Sequence, residues 1–277
     1  MQILLSIALV TRNRPQRLET VMSSIIRQYS NPFEIIIADD SNSEDCITEN
    51  KAIAHKYGCK YLSGPQRGLY ANRNFVAKQC TGTHIRTMDD DHEFPENHFK
   101  YCLEAIQLDC DAIWTIGEYT HLEMIRTLPA PVPGQLHAKG YAYKPENMDE
   151  YYGISCGASI YPRSVIDKCI LNIEIYKFGI VYLEYGARLL NRGYRIRHLD
   201  ATYVIHNSYE TSAPSSEVVN EAKVFSMFML SFYNKPTFYN KILTFTQIAA
   251  DVIRNEYSIT LVKRAYNEFK NMSKQLM

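Results

Sequence analysis

The sequence predicts an α/β fold in which a mostly parallel sheet is flanked by helices and followed by a helical C-terminal appendage. Two observations predict the sheet. Short apolar runs alternate with amphipathic segments through the N-terminal half, as βαβ units require. The first run, Ile3–Val10, is almost unbroken, which is typical of a strand buried on both faces. A third observation predicts the appendage: from Pro214 onward the pattern is helical, with breaks near Lys235-Pro236 and Tyr257-Ser258.

The first strand is followed by a helix. Asn13-Arg14-Pro15 reads as its start, with Asn13 as the cap and Pro15 in the first turn, and the helix ends near Tyr29. The apolar run Phe33–Ala38 is the second strand, and a loop of capping residues separates it from a helix ending near Tyr57. The remaining elements of this half are a strand at Lys60–Leu62, a helix at Tyr70–Gln79 and a strand at His84–Met88.

The pattern changes after Asp111. The segment 117–150 is long, contains four prolines and has no clear periodicity, so we expect a functional lid or binding loop there. On either side of it, the sequence predicts strands at Ala112–Ile116, Ile154–Tyr161 and 194–206, and helices at Pro162–Ile170 and Tyr182–Asn191.

Composition narrows the class of protein. The 277 residues contain 30 Lys and Arg against 30 Asp and Glu, and zero net charge argues against a nucleic-acid partner. Seven cysteines without a CxxC pair suit a reduced, cytoplasmic protein. The apolar N-terminus has no basic segment before it, and Val224–Tyr233 is far shorter than the roughly 20 residues that span a membrane. We therefore expect at most peripheral membrane contact.

Two glycine motifs that bind nucleotides are excluded. Gly58 is the first glycine of the chain, whereas a GxGxxG dinucleotide motif or a P-loop needs glycines directly after the first strand. If the sheet binds a nucleotide, it does so through a different binding motif.

The strongest local feature is the acidic run Met88–Glu93, which contains Asp89, Asp90 and Asp91. It follows an apolar strand, and open α/β sheets bind ligands at the carboxyl ends of their strands. Adjacent carboxylates repel unless a cation relieves them, and hard oxygen ligands suit Mg²⁺ or Mn²⁺. A solvated acidic loop is the alternative. The pair Asp39-Asp40, after another strand on the same edge, favours a binding site.

Four segments together resemble family 2 glycosyltransferases, which are inverting enzymes with the GT-A fold. They are Ser6–Gln28, FEIIIADDSNSED, Gly68–Phe75 and THIRTMDDDHEFP, in this order and spacing; weaker similarity continues through Gly157-Ala158-Ser159 with Arg163 and through 181–206. The resemblance implies a GT-A-like domain over 1–210, in which 1–110 binds the nucleotide and 111–210 the acceptor. Residues 211–277 form the appendage.

The resemblance also implies a donor site. Its nucleotide-binding residues would be Thr11, Arg12 and Asn13 at the base, Asp39 and Asp40 at the base or ribose, and Arg73 at the diphosphate, with Asp90 and Gly157 nearby. Arg73 has a plain alternative as a surface ion pair, and Gly157 as a bulge.

Asp89 and Asp91 match the outer carboxylates of the family's Asp-x-Asp motif, which holds Mn²⁺ or Mg²⁺ against the diphosphate. Asp91 would be catalytic in this sense. His206 resembles a histidine that some relatives place near the metal, although a lone histidine after a strand is more often structural.

The catalytic base is where the sequence departs from the family. Val181-Tyr182 stand where relatives carry Glu-Asp, which leaves Glu184 as the candidate. Three outcomes are open: Glu184 is the base, an acid of 117–150 (Glu118, Glu123 or Glu146) replaces it, or activity is lost. For Glu184 the plain alternative is a helical ion pair with Arg188 at i+4.

The last 57 residues combine ten aromatic side chains with eight basic and four acidic ones. Such helices can lie on an anionic membrane or cover a lipid-linked acceptor, and the alternative is a helical cap packed on the sheet.

The sequence therefore predicts metal-dependent, inverting transfer of a sugar from a UDP-, GDP- or dTDP-linked donor. The acceptor would be a carbohydrate or lipid-linked, in polysaccharide or glycoconjugate synthesis. One rival is a sugar nucleotidyltransferase, which the glycine-free TRNRPQR segment disfavours. The other is a non-catalytic nucleotide-sugar-binding protein that has lost its base.

Overall fold

A computed structural model describes residues 4–28, 34–120, 127–144, 153–155, 157–177, 181–207 and 215–276. Over these residues an eight-stranded sheet is built from β1 to β6, β9 and β10, and β7 pairs with β8 in a small hairpin. The strands are β1 Leu5–Thr11, β2 Glu34–Asp39, β3 Lys60–Ser63, β4 His84–Asp89, β5 His92–Glu93, β6 Ile113–Thr120, β7 Gln135–Leu136, β8 Ala142–Tyr143, β9 Ser159–Pro162 and β10 Ile196–His206.

The helices lie on both faces of this sheet and after it. They are α1 Pro15–Arg27, α2 Glu44–Lys56, α3 Leu69–Gln79, α4 His98–Leu108, α5 Arg163–Asp167, α6 Val181–Asn191, α7 Ser216–Met229, α8 Phe238–Ile253 and α9 Ile259–Leu276, and a π-helical turn, Leu230–Asn234, continues α7. Among the described residues, no helix is long and apolar enough to cross a bilayer.

The sheet is mostly parallel, in the order β3-β2-β1-β4-β9-β6-β10-β5, which confirms the predicted fold class. Only β9 and β5 run antiparallel to their neighbours. The carboxyl ends of β1, β2, β4, β6 and β10 therefore meet along one edge, and that edge carries the acidic segments.

Two expectations about local structure need correction, and one helix was not predicted. Asn13 does not cap α1, because its backbone is left-handed (φ 53°) and Arg14 is the capping residue. The strand expected at Ile154–Tyr161 begins only at Ser159, after a left-handed turn at Gly157. Helix α4 received no prediction, although Phe99, Cys102 and Ile106 form its buried face.

The packing of the faces explains the apolar patterns. On one side, Leu18, Met22 and Ile25 of α1 pack on Ile7 and Leu9 of β1. On the other, residues of α3, α5 and α6 pack on β1, β2 and β4. Helices α7 and α9 share a core cluster with residues of α3, α6 and the segment before it, as the helical-cap interpretation expects of them.

Candidate active site

The acidic run lies at the carboxyl end of β4, where Asp89 closes the strand and Asp90 and Asp91 lead into β5. All three side chains are buried: Asp89 is 8%, Asp90 1% and Asp91 7% exposed. The alternative of a solvated acidic loop was therefore wrong. Buried carboxylates persist only with nearby cations or hydrogen bonds, so each one's partners define its role.

Asp90 fastens the acidic run to the β1–α1 turn. Its Oδ2 accepts a hydrogen bond from the Thr11 hydroxyl at 2.6 Å, and its Oδ1 lies 2.5 Å from Arg14 Nη2. Burial raises the pKa of Asp90 to about 7, against the opposing charge of Arg14. Thr11 and Asp90, both proposed from sequence for the donor site, thus hold each other in place beneath it.

Asp91 faces His206, which lies 115 residues later in the sequence. Its Oδ1 lies 3.4 Å from His206 Nε2, while Glu118 Oε2 lies 3.6 Å from His206 Nδ1. The antiparallel pairing of β10 with β5 brings His206 opposite His92 and so next to Asp91. Burial acts to lower the pKa of His206, but Asp91 and Glu118 outweigh it and raise that pKa to about 11.

Neighbouring charges also shift the pKa values of the two acids that face His206, which are Asp91 and Glu118. Burial acts to raise the pKa of Asp91, but His206, His92 and Arg14 outweigh it and hold that pKa well below its usual range. Burial raises the pKa of Glu118, with His206 opposing. His206 is thus held in its charged form between Asp91 and Glu118, and coordination of a cation would require its Nε2 to release its proton.

Four side chains could hold a divalent cation together. Ligand atoms of Asp89, Asp91, His92 and His206 all lie within 4.8 Å of one another. Within the described part of the chain, both ring nitrogens of His92 are buried without a hydrogen bond, and His206 is the partner of Asp91 Oδ1. Burial lowers the pKa of His92 to about 3, which keeps its ring neutral and able to coordinate. Oxygen and imidazole ligands of this kind fit a divalent cation such as Mn²⁺.

Arg73 is buried beside these ligands rather than on the surface. It is 4% exposed, and its Nη2 and Nε donate to the two carboxylate oxygens of Asp89 at 2.5 and 3.3 Å. The surface ion pair suggested as its plain role is excluded by this burial. A bidentate pair of this kind fixes the orientation of both partners.

Gly157 lies against the Arg73–Asp89 pair. Its φ is +81°, and a Cβ there would come within 2.6 Å of Asp89 Oδ2 and 2.8 Å of Arg73 Nη2. The glycine is therefore required by a close approach of the backbone to two site residues, a reason that the sequence did not supply.

We expect Gly157→Ala to disturb the cation site as well as the backbone. The left-handed conformation alone should cost about 1 kcal/mol, and the collision should displace Asp89 and weaken Mn²⁺ binding by on the order of tenfold. Urea unfolding and calorimetric titration with Mn²⁺ measure the two effects. Gly193→Ala is the matched control: its φ is +86°, yet the described residues leave the space around its Cβ open. Equal Mn²⁺ affinity in both variants would contradict this role.

The residues expected at the nucleobase form two loops tied together. The Asn13 amide donates to Ser41 Oγ at 2.7 Å, and Asn13 Oδ1 accepts from the Asn42 amide at 3.0 Å. Arg12 and Asn13 are exposed at the edge of the sheet, where they are available to a ligand.

Asp39 and Asp40 differ in their partners. Asp39 is bonded within the fold, with Ser41 N, Asn50 Nδ2 and Tyr61 Oη donating to its two oxygens at 2.8 to 2.9 Å. Asp40 Oδ1 accepts from the Gln66 amide at 2.8 Å, and burial raises the pKa of its carboxyl. These contacts indicate that Asp39 supports the loop after β2, whereas Asp40 lies near Arg12 at the carboxyl edge of the sheet.

The structure does not bring Glu184 to this site. Its side chain is fully buried, and its carboxylate accepts from Arg188 Nε at 3.0 Å and from Asn234 Nδ2 at 3.1 Å. Arg188 is itself 2% exposed and also donates to Leu171 O. The assignment of Glu184 as the base needs correction, because an enclosed carboxylate paired with arginine cannot take a proton from an acceptor in this conformation. Glu123 and Glu146 lie outside the described residues.

Sequence reasoning missed two residues that the fold places in the site. Arg14 contacts both Asp90 and Asp91, and His92 completes the cation-binding group. His92 directly follows Asp91 within the acidic run, so its position was a usable signal. Arg14 was interpreted only as part of a helix start.

The mostly parallel sheet, with buried acids, a histidine and an arginine at its carboxyl edge, agrees with what comparisons with known proteins identify: a glycosyltransferase with the GT-A fold. The profile described as "Glycosyl transferase family 2" matches residues 6–170. This match covers more than half of the chain, and the chain belongs to that family.

Two curated relatives carry matching names. Glycosyltransferase YwdF of Bacillus subtilis (strain 168) is 28% identical over 165 residues, which are 59% of this chain and 60% of that protein. Chondroitin synthase of Pasteurella multocida (strain Pm70) is 22% identical over 273 residues, which are 86% of this chain and 28% of that protein. The chain thus spans less than two thirds of the length of both relatives.

Solved structures share the fold at low sequence identity. S. aureus TarS 1-349 in complex with UDP-GlcNAc has a TM-score of 0.66 at 12% identity, covering 96% of this chain and 80% of that one. GalNAc-T7 with UDP, GalNAc and Mn²⁺ has a TM-score of 0.65 at 12% identity, covering 97% and 54%.

Proposed function

We propose that this glycosyltransferase transfers a sugar, with inversion and with Mn²⁺ or Mg²⁺ bound, from a nucleotide sugar to a carbohydrate or lipid-linked acceptor. Polysaccharide or glycoconjugate synthesis is the process that uses such a step. The observation that carries the proposal is the group Asp89, Asp91, His92 and His206 at the carboxyl edge of the sheet. Of the UDP, GDP and dTDP donors, UDP is favoured, because TarS and GalNAc-T7 were solved with it.

Asp89, Asp91 and His206 are the residues proposed to hold the cation, and His92 adds a fourth ligand. When bound, a divalent cation supplies charge that stabilises the leaving nucleoside diphosphate. Arg73 adds a fixed positive charge at the same place, held by its two bonds to Asp89. Arg14 balances Asp90 and Asp91 from the other side.

Glu118 is proposed to orient His206. Metal-bound histidines commonly donate their second ring N–H to a carboxylate, which fixes the tautomer and the ring plane. Glu118 Oε2 lies 3.6 Å from His206 Nδ1 and leaves Nε2 directed at Asp91, as such an arrangement requires. Glu118 is therefore a positioning residue for the cation ligand.

At the donor end, Asp40, Arg12 and Asn13 are proposed to bind the nucleobase and ribose, with Thr11, Asp39 and Asp90 holding their loops. The proton of the acceptor hydroxyl must pass to a carboxylate as the hydroxyl attacks. Because Glu184 is enclosed and Glu118 is assigned to His206, we propose that Glu123 or Glu146, the other acids of the second sequence alternative, accepts this proton.

Binding of nucleotide sugars to the full chain tests the proposal. We expect UDP-sugars to bind with Mn²⁺ present and on the order of tenfold more weakly after chelation, since a cation held by Asp89, Asp91, His92 and His206 would supply positive charge to the diphosphate. Calorimetric titration with UDP-, GDP-, dTDP- and CMP-sugars measures this, and hydrolysis or transfer is followed by nucleoside diphosphate release. Binding without turnover under any acceptor would favour the non-catalytic alternative. Absence of binding to every donor would overturn the proposal.

A further inference from the structure

Helix α8 presents an apolar face to solvent. Phe238, Ile242, Phe245 and Ile253 are 80%, 43%, 54% and 81% exposed, and Ala249 between them is exposed as well. At about 100° per residue, these five positions fall within an arc of about 80° on the helix. Over a 16-residue helix the stripe is about 24 Å long.

Helix α8 is apolar on its outer face as well as on part of its inner face. Its inner face carries the buried Ile248 together with polar side chains: Thr244 is buried and donates to Ala138 O at 2.9 Å, and Asp251 is buried beside Gln247. Surface helices normally bury the apolar side and expose the polar one. A contiguous apolar patch left outside marks a contact surface rather than a packing requirement of the fold.

Aromatic residues extend this surface to α9. Beneath the surface, the buried Phe228 lies 6.4 Å from Phe245 and 5.2 Å from Tyr266 of α9 between ring centroids, and Tyr266 itself is 41% exposed. Tyr239 on the flank of the stripe is 68% exposed. Exposed aromatic rings of this kind are enriched where proteins meet the boundary between lipid and water.

The rim of the surface is basic. From Lys235 to Arg254, within the continuously described stretch 215–276, the charged side chains that reach solvent are Lys235, Lys241 and Arg254. Arg254 Nη1 lies 3.5 Å from Asp251 Oδ1, and the exposed Glu256 follows, so the basic character is strongest at the Lys235 and Lys241 end. Lys241 Nζ lies 5.3 Å from the Phe232 ring centroid, and Lys270 Nζ lies 5.8 Å from that of Tyr266. Lysines packed on apolar surface with their charge outward are suited to anionic headgroups.

We propose that the outer face of α8 docks on an anionic lipid bilayer and lies within the headgroup boundary. The charge of the rim decides between lipid and a second copy of this chain. In a two-fold contact the same basic rim would face itself, and like charges across an interface are unfavourable. An anionic bilayer satisfies both the apolar stripe and its rim. The proposal stands on the C-terminal helices alone and is independent of the sugar-transfer reaction.

Flotation of the full chain with lipid vesicles tests the proposal. We expect the protein to float with phosphatidylcholine–phosphatidylglycerol vesicles, less with phosphatidylcholine alone, and less again at high salt. Phe238→Ser/Ile253→Ser should weaken this binding by at least about tenfold, because two large apolar side chains no longer enter the bilayer. Lys241→Gln/Arg254→Gln should weaken binding to the anionic vesicles alone.

Leu108→Ser is the matched control, since Leu108 is 71% exposed on α4, outside this surface, and its loss should leave flotation unchanged. The altered α8 residues are exposed, so the variants keep the packed face of the helix. Failure of the unaltered chain to float, or equal flotation by Phe238→Ser/Ile253→Ser, would overturn the proposal. So would a dimer in sedimentation that becomes a monomer in this variant without any vesicle binding, because a second copy would then cover the face.

Discussion

Asp91→Asn is expected to reduce nucleoside diphosphate release from the donor by on the order of 10²–10³-fold, the typical loss when one preorganised electrostatic group is removed from a reaction site. Asn keeps the shape of the side chain and an oxygen for Arg14 Nη1, which lies 3.1 Å from Asp91 Oδ2. The charge that faces His206 and the cation is lost. Mn²⁺ affinity should therefore fall with turnover, and both are measurable on one sample by calorimetry and a diphosphate-release assay.

Asp45→Asn is the matched control for this change. Asp45 is an exposed carboxylate in the first turn of α2, so its removal alters the net charge by the same amount outside the site. We expect its turnover and Mn²⁺ affinity to match those of the unaltered chain. If Asp91→Asn bound Mn²⁺ as tightly as Asp45→Asn does, the cation site would not be the one at the end of β4.

Glu184→Leu is expected to lower the free energy of unfolding by about 3–5 kcal/mol, because it leaves Arg188 buried without its counter-ion. The carboxylate bonds to Arg188 and Asn234 in the interface between α6 and the π-helical turn, and none of these residues belongs to the cation-binding group. Turnover of the folded protein should therefore persist. Urea unfolding, with activity measured below the transition, separates the two effects.

Two further variants sharpen this result. Glu184→Leu/Arg188→Met removes both charges and should recover most of the lost stability, as replacement of a buried pair by apolar groups often does. Glu118→Gln should behave in the opposite way: stability stays near that of the unaltered chain, while Mn²⁺ affinity falls by about 10–100-fold. Loss of turnover in stable, folded Glu184→Leu/Arg188→Met would return the catalytic role to Glu184.

Much of the fold could be predicted because its signals are local. Strands β1 and β2 are short, mainly apolar runs, and the acids at the ends of β2 and β4 had to lie at one edge once those strands were parallel to β1. The four segments that resemble the family lie within the region that its profile matches. Helix α4 was not predicted, although its buried residues Phe99, Cys102 and Ile106 recur at the spacing of a helix.

The roles of individual charged residues were harder to predict because they depend on distant partners. Glu184 fits an i+4 pair with Arg188 on any helix, and only the packing of Asn234, 50 residues away, shows that the pair is enclosed. Arg73 and Gly157 are 84 positions apart in the sequence, yet a Cβ on Gly157 would lie 2.8 Å from Arg73 Nη2. Neither spacing nor residue type carries such information.

The sequence by itself determined the strands and helices of the sheet, the acidic edge and the family, because apolar periodicity and short motifs are properties of neighbouring residues. Only the tertiary structure showed that His206 contacts Asp91 and Glu118 and that Glu184 is buried. It also showed that an apolar stripe of α8 is exposed to solvent. These features depend on which surfaces pack together in the folded chain. The free energy of burial comes from contacts between residues that are far apart in sequence.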